Sequence, residues 1–244
     1  MTTDNTAPPT TMQKAMLSLM QGGMLSHGQV GQDFWIFGEA FNGLQGGYFV
    51  DIGAHDGVFI SNTVVLEQVF GWTGLLVEAN PETFETLKKN RTSTCLNLCL
   101  DKEEGEIEFA LRGPLGGIVG EALDNAAGGD EGGTIRMKTR PLIDVLDEHK
   151  APESIEFLSI DVEGAEERIL MDFDFDRYQF KCMTLERPSA ALRARLQEKN
   201  YRRVREIPVL DTLFIHRDFA KEYRTNMMNF YRGATKLRVT PSDD

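Results

Sequence analysis

The stretch Phe49-Val-Asp-Ile-Gly-Ala-His-Asp-Gly57 decides how the chain is read. An apolar run from Tyr48 that stops at glycine is a short buried strand delivering into a tight turn. Residues 61–70 follow with Val64, Val65, Leu66 and Val69 at helical spacing. The unit recurs: residues 74–78 read as a strand, and Pro81 opens a helix that runs through Phe84 and Leu87 to Asn90. Further along, residues 95–100 predict a third strand, and 107–111 with 134–138 a hairpin-like excursion. Residues 142–149 predict a helix, 155–160 a buried strand, 166–171 a short helix, 180–185 a strand and 190–199 a helix with Leu192 and Leu196 inward. Residues 203–207 and 209–215 close as an antiparallel pair joined through Pro208. Strands alternating with helices imply right-handed crossovers, so the expected class is α/β: a mostly parallel sheet, helices on both faces and an antiparallel edge strand.

Charge narrows the partners. The 244 residues carry 26 Lys and Arg against 38 Asp and Glu, a formal net charge of −12. Binding to a phosphate backbone rests on clustered cations, so nucleic acid and anionic membrane surfaces are not expected partners. Cys95, Cys99 and Cys182 form no metal-ligand spacing, and an odd count suits a reducing compartment, here taken as the cytoplasm. No run approaches the ~18 apolar residues of a membrane span. The expected organisation is an N-terminal segment (1–28), a central domain (29–216) and a C-terminal extension (217–244). Residues 113–133 hold eight glycines and read as a mobile insertion or a substrate-gating loop.

The strand tips carry the chemistry. Open parallel sheets bind ligands at the carboxyl ends of their strands. Gly53 and Gly57 there lack the G-x-G-x-x-G spacing of a dinucleotide site, and Asp51 would repel a pyrophosphate. An acidic strand end suits a cationic ligand, such as a sulfonium with a free α-amino group. Glu78, at the tip of the next strand, can accept two hydrogen bonds from the 2′ and 3′ hydroxyls of a ribose. Either feature alone reads as an ordinary turn or a solvated carboxylate; the two in this order point to S-adenosylmethionine. Asp161 follows the apolar strand 157–160 and Glu186 ends the next one, so the two carboxylates converge if those strands are neighbours, with Glu163 as a third. The competing reading has Asp161 and Glu186 capping helices or pairing with Arg168 and Arg187.

These residues resemble the FkbM-type methyltransferases. The resemblance rests on Phe49–Gly57 with Ser61-Asn-Thr63, on Gly71-Trp-Thr-Gly74 leading to Val77-Glu-Ala-Asn-Pro81, on Phe157-Leu-Ser-Ile-Asp-Val-Glu-Gly-Ala-Glu166, and on the lead-in Gly31-Gln-Asp33. It implies a class I methyltransferase Rossmann-like fold with a seven-stranded sheet. It also implies methyl transfer from S-adenosylmethionine to oxygen, often a hydroxyl of a sugar, glycolipid or polyketide product. Ile52, Gly53, Ala54, His55 and Gly57 would surround the methionine part, with Asp51 and Glu78 holding the two ends of the ligand. Glu78, Ala79 and Asn80 would surround the ribose, and Cys99, Leu100 and Asp101 the adenine. Ser61 and Asn62 either cap the first helix or also bond the cofactor's carboxylate. His55 and Ala79 depart from the commoner Asn and Pro. Asp161, Glu163 and Glu186 are the expected catalytic residues, either with Asp161 or Glu186 as a direct base or with Mg²⁺ held by Asp161 and Glu186. The acceptor would be a small molecule or glycan. N- or carboxyl-methylation and a non-catalytic cofactor-binding scaffold are the alternatives, a nicotinamide dehydrogenase is disfavoured by the glycine spacing, and a homo-oligomer stays open.

Overall fold

The computed structural model describes residues 26–120 and 133–234. Residues 1–25 of the expected N-terminal segment, residues 121–132 of the glycine-rich stretch and residues 235–244 lie outside the described residues. The chain enters through α1 (Gln32–Phe34), which winds into a fully buried π-helical run, Trp35–Ala40. Then come β1 (Tyr48–Ile52), α2 (Val64–Phe70), β2 (Thr73–Val77), α3 (Pro81–Asn90) and β3 (Thr94–Leu96). The excursion holds β4 (Cys99–Leu100), β5 (Gly105–Ala110), β6 (Gly117–Ile118) and β7 (Thr134–Arg140). The second half runs α4 (Leu142–Glu148), β8 (Ser154–Ile160), α5 (Glu166–Leu170), β9 (Gln179–Glu186), α6 (Ala190–Glu198), β10 (Tyr201–Glu206), β11 (Asp211–His216) and α7 (Ala220–Ala234).

Seven strands form one sheet in the order β10-β11-β9-β8-β1-β2-β3, and β4-β7-β5-β6 form a second, smaller sheet. The five strands from β9 to β3 are parallel neighbours. The closing hairpin inserts β11 antiparallel between β9 and β10, so the reversed strand lies one place in from the edge. A consequence is that the first residue of β11, Asp211, pairs with Glu186, the last of β9, at the carboxyl edge of the sheet.

Period-two alternation splits the core. Val50 and Ile52 of β1 face a cluster with Leu142, Val145 and Leu146 of α4, Leu170 of α5 and Leu192 and Leu196 of α6. Phe49 faces the other cluster, with Trp35 and Phe37 of the π-helical run, Val64 to Leu66 of α2 and Leu87 of α3. α7 covers the same side: Phe230 packs at Gly38, and Tyr231 donates to Glu39 at 2.7 Å. Among the described residues no helix is long and apolar enough to cross a membrane.

Two expected elements differ. Residues 95–100 divide between the sheets because the Asn97 side chain donates to the Glu78 and Ala79 carbonyls at 2.9 and 3.0 Å, tying down the connection between β3 and β4. α2 begins at Val64 and not at 61, because the Ser61 hydroxyl oxygen accepts from the Thr63 and Val64 amides and so caps the helix from outside.

Candidate active site

The turn after β1 is shaped by contact with the turn after β8. Gly53 sits at φ +85°, and a Cβ there would lie 1.8 Å from the Asp161 carbonyl oxygen. Only glycine allows that backbone approach. The Asp161 amide donates to the Ile52 carbonyl at 3.0 Å, while the Gly53 and Ala54 amides donate to Val77, which closes the β1 turn over β2. The tips of β1, β2 and β8 thereby meet around one space.

That space is a cleft of about 560 Å³, joined at Gly53, His55, Pro114 and Asp161 by a second cavity of about 470 Å³. The larger is lined by Ile52, Glu78, Ala79, Cys99 and Leu100, and closed by Phe109 and Ile118 of the small sheet. The smaller is lined by Asp51, Ala54, Ser61, Asn62 and Ser159, with Phe59 and Ile60 at its rim.

Three expected site residues stand elsewhere. Gly57 is left-handed because it packs on α3, where a Cβ would lie 2.6 Å from both Leu87 and Arg91 side-chain carbons. Asn80 spends its side chain capping α3, accepting from the Glu82 amide at 3.0 Å. Asp101 is bound by Arg168, whose Nε donates at 2.9 Å, and so faces a cation across the domain and not the cleft.

Glu78 is buried at the β2 tip and receives the His55 amide at 2.8 Å and the Asn80 amide at 2.7 Å. Burial pushes its pKa up to about 6, against the lowering effect of those two bonds. Two buried acceptors or donors in the cleft, Asn62 Oδ1 and His55 Nδ1, have no hydrogen-bond partner, a costly condition that a polar ligand would relieve. Burial lifts the Cys99 thiol to about 12, so it is a wall residue and not a nucleophile.

On the other side Asp161, Glu163 and Glu186 bring ligand atoms within 4.8 Å of one another. Parallel pairing of β8 with β9 produces this convergence, as Ile160 faces Leu185. Asp161 is open to the cleft, yet the protein packed around it, and then the charge and hydrogen-bonding reach of Glu186, hold its pKa well above the carboxylate range. Glu186 Oε2 is buried without a partner, while Oε1 accepts from Arg187 Nε at 2.9 Å. Arg187 also lies 3.6 Å from Glu163, so a guanidinium borders the acids on one side. The pairing with Arg187 foreseen as the competing reading therefore coexists with the convergence. Glu163 and Arg187 have φ values of 53° and 37°, strained for side-chain-bearing residues; such strain collects at functional sites.

Two members of this group were not anticipated. Asp211 is buried beside Glu186, and Gln32 Nε2 donates to its Oδ2. The reversed direction of the last strand was the available signal for Asp211, since it brings a strand's beginning to the edge where its neighbours end. Gln32 stood in the lead-in Gly31-Gln-Asp33, which carried the resemblance but gave it no role in the site.

A seven-stranded sheet in this order, with acidic tips on β1, β2 and β8 around a common cleft, defines the class I methyltransferase fold. Residues 51–203 match the family model described as the methyltransferase FkbM domain. The chain belongs to the FkbM methyltransferase family. No curated protein matches its sequence. Similar solved structures include an FkbM methyltransferase from Methylobacillus flagellatus KT, at 10% identity and TM-score 0.45, covering 86% of this chain and 56% of that one. The methyltransferase domain of human METTL16 matches at 12% identity and TM-score 0.42, covering 76% of this chain and 66% of that one. A precorrin-6y C5,15-methyltransferase from Geobacter metallireducens GS-15 matches at 12% identity and TM-score 0.37, covering 70% and 81%. The chain thus spans less than two thirds of the first two. Methyltransferase folds of this kind bind S-adenosylmethionine in general, and the unpartnered atoms of the cleft fit such a polar ligand.

Proposed function

We propose that the chain transfers a methyl group from S-adenosylmethionine to a hydroxyl oxygen of a small molecule, sugar or glycosylated natural product, with residues 29–216 as the methyltransferase domain. The observation that carries this reading is the Asp161 and Glu186 carboxyl pair at the cleft. A hydroxyl is a poor nucleophile until its proton leaves, so the acceptor side must supply a proton recipient. Asp161 is that recipient, and its elevated pKa makes it a better base than a solvated carboxylate. Glu186, with Oε2 unpartnered, orients Asp161 and shares the proton. When bound, the cofactor supplies a methyl on a sulfonium and leaves as a neutral thioether. Asp51 and Asn62 Oδ1 would hold its ammonium end, Glu78 its ribose hydroxyls, and Cys99, Leu100 and Ile118 its adenine.

The acceptor's charge follows from the same residues. Asp161, Glu163, Glu186 and Asp211 repel an anionic acceptor, and a carboxylate needs no base, so carboxyl-methylation is the poorer fit. At the rim of the smaller cavity Phe59 is 55% exposed, which favours an acceptor with an apolar face. A scaffold without chemistry would gain stability by losing buried like charges. Incubation with methyl-labelled S-adenosylmethionine and a panel of sugars, macrolides and peptides tests the reading: label on oxygen is expected, and label solely on nitrogen or carboxylate would overturn it.

A second reading, Mg²⁺ on Asp161 and Glu186 with Glu163 as third ligand, is favoured by the 4.8 Å convergence. Turnover after EDTA treatment separates the two. Full activity in chelator is the expected result, and loss restored by Mg²⁺ would establish the metal.

Glu78→Ala is expected to weaken S-adenosylmethionine by roughly ten- to a hundredfold, the effect of one lost charge-assisted bond. Because the Glu78 pKa is raised to about 6, wild-type affinity should also fall as pH drops through that value and the carboxylate gains a proton. Titration calorimetry across pH is the check; an unchanged affinity for Glu78→Ala would remove the ribose assignment.

A further inference from the structure

Behind the smaller cavity a buried hydrogen-bonded chain runs from the end of α3 to Asp51. Arg91, whose side chain is fully buried, donates from Nε and Nη2 to Glu67 Oε2 at 3.2 and 3.1 Å. Its Nη1 donates to Thr63 Oγ1 and to the Gly57 carbonyl, both at 3.1 Å. Thr63, itself fully buried, lies 2.6 Å from Asp51 Oδ2. Guanidinium can only donate, and a hydroxyl has a single proton. The Thr63 oxygen therefore accepts from Arg91, and its proton goes to Asp51 at 2.6 Å, the Ser61 hydroxyl standing farther off at 3.5 Å.

The other side of Asp51 obeys the same logic. Asn62 Nδ2 donates to Ser159 Oγ at 3.0 Å, which turns the Ser159 proton to Asp51. With Nδ2 so occupied, Asn62 Oδ1 is left buried and unpartnered. Asp51 and Asn62 both line the same small space. That pair matches a donor-only group such as an ammonium.

We infer that Thr63 and Arg91 are positioning residues for the amino-acid end of the cofactor: they hold Asp51 in its ammonium-binding orientation without touching the ligand. The inference rests on the cofactor reading given above. It makes recognition of the amino-acid end depend on α3, the helix that follows the ribose-binding strand, so one buried cation links the two halves of the ligand site.

Two thioethers that differ in the amino-acid part test it, S-adenosylhomocysteine and 5′-methylthioadenosine, titrated calorimetrically against the full chain. Wild type should bind S-adenosylhomocysteine the more tightly. Thr63→Val, nearly isosteric, should weaken S-adenosylhomocysteine about tenfold and leave 5′-methylthioadenosine within about twofold. Thr63→Ser, which keeps the hydroxyl, should restore the difference, and Arg91→Met should reproduce the selective loss. Equal weakening of both ligands, or no change in either, overturns the positioning role. If wild type binds the two equally, the cofactor reading fails before it.

Discussion

Asp161→Asn is expected to lower turnover by about 10² to 10⁴-fold, the range supplied by a positioned general base. Asparagine keeps the size and the backbone contacts at the β8 tip but cannot take a proton from the acceptor hydroxyl. Stability should move the other way. A carboxyl whose folded pKa is raised costs the fold stability from the ordinary carboxylate pKa upward, in full above the raised value, and the neutral amide removes the cost. Asp161→Asn should therefore melt no lower than wild type at neutral pH and above, and single-turnover kinetics with the acceptor found in the labelling panel should show the loss. Turnover within about threefold of wild type would eliminate Asp161 as the base.

Gly53→Ala should be the most damaging single methyl in the described residues around the cleft. Its φ of +85° costs an L-residue roughly 1–2 kcal/mol. A Cβ 1.8 Å from the Asp161 carbonyl oxygen meets backbone that cannot swing aside, and forced overpacking adds about 1–3 kcal/mol or more. Together these approach ~3–5 kcal/mol, a large part of the ~5–15 kcal/mol that holds a domain folded. Denaturant unfolding would measure it, and S-adenosylmethionine affinity should fall in parallel because the β1 and β8 turns part. A variant as stable as wild type would mean that the two turns do not touch in solution.

The sheet was readable because alternating strands and helices leave few topologies, and the neighbouring of β8 and β9 then forced Asp161 and Glu186 together. The placing of a cleft carboxylate was legible where it depends on a strand end, as at Asp51 and Glu78. It was not legible where several causes leave the same letter. A left-handed glycine is needed equally by a ligand's approach and by a helix packed on the turn, and Gly57 serves α3. A carboxylate after a strand can meet a ligand or a distant arginine, and the partner of Asp101 lies 67 residues away. Asn80 stands at a strand tip and a helix start at once, and the helix takes its side chain. The partner of Gln32 was beyond reach for the same reason of distance, lying 179 positions later.

That last separation bears on how the molecule is made. The elements that hold Asp51 and Glu78 end with β8, whose Ser159 pairs with Asp51, so they are complete while later residues are still being synthesised. The bond between Gln32 and Asp211 cannot exist until the reversed strand has emerged and slid in beside β9. On the proposed reading, a nascent chain completes the cofactor side of its cleft before the acceptor side.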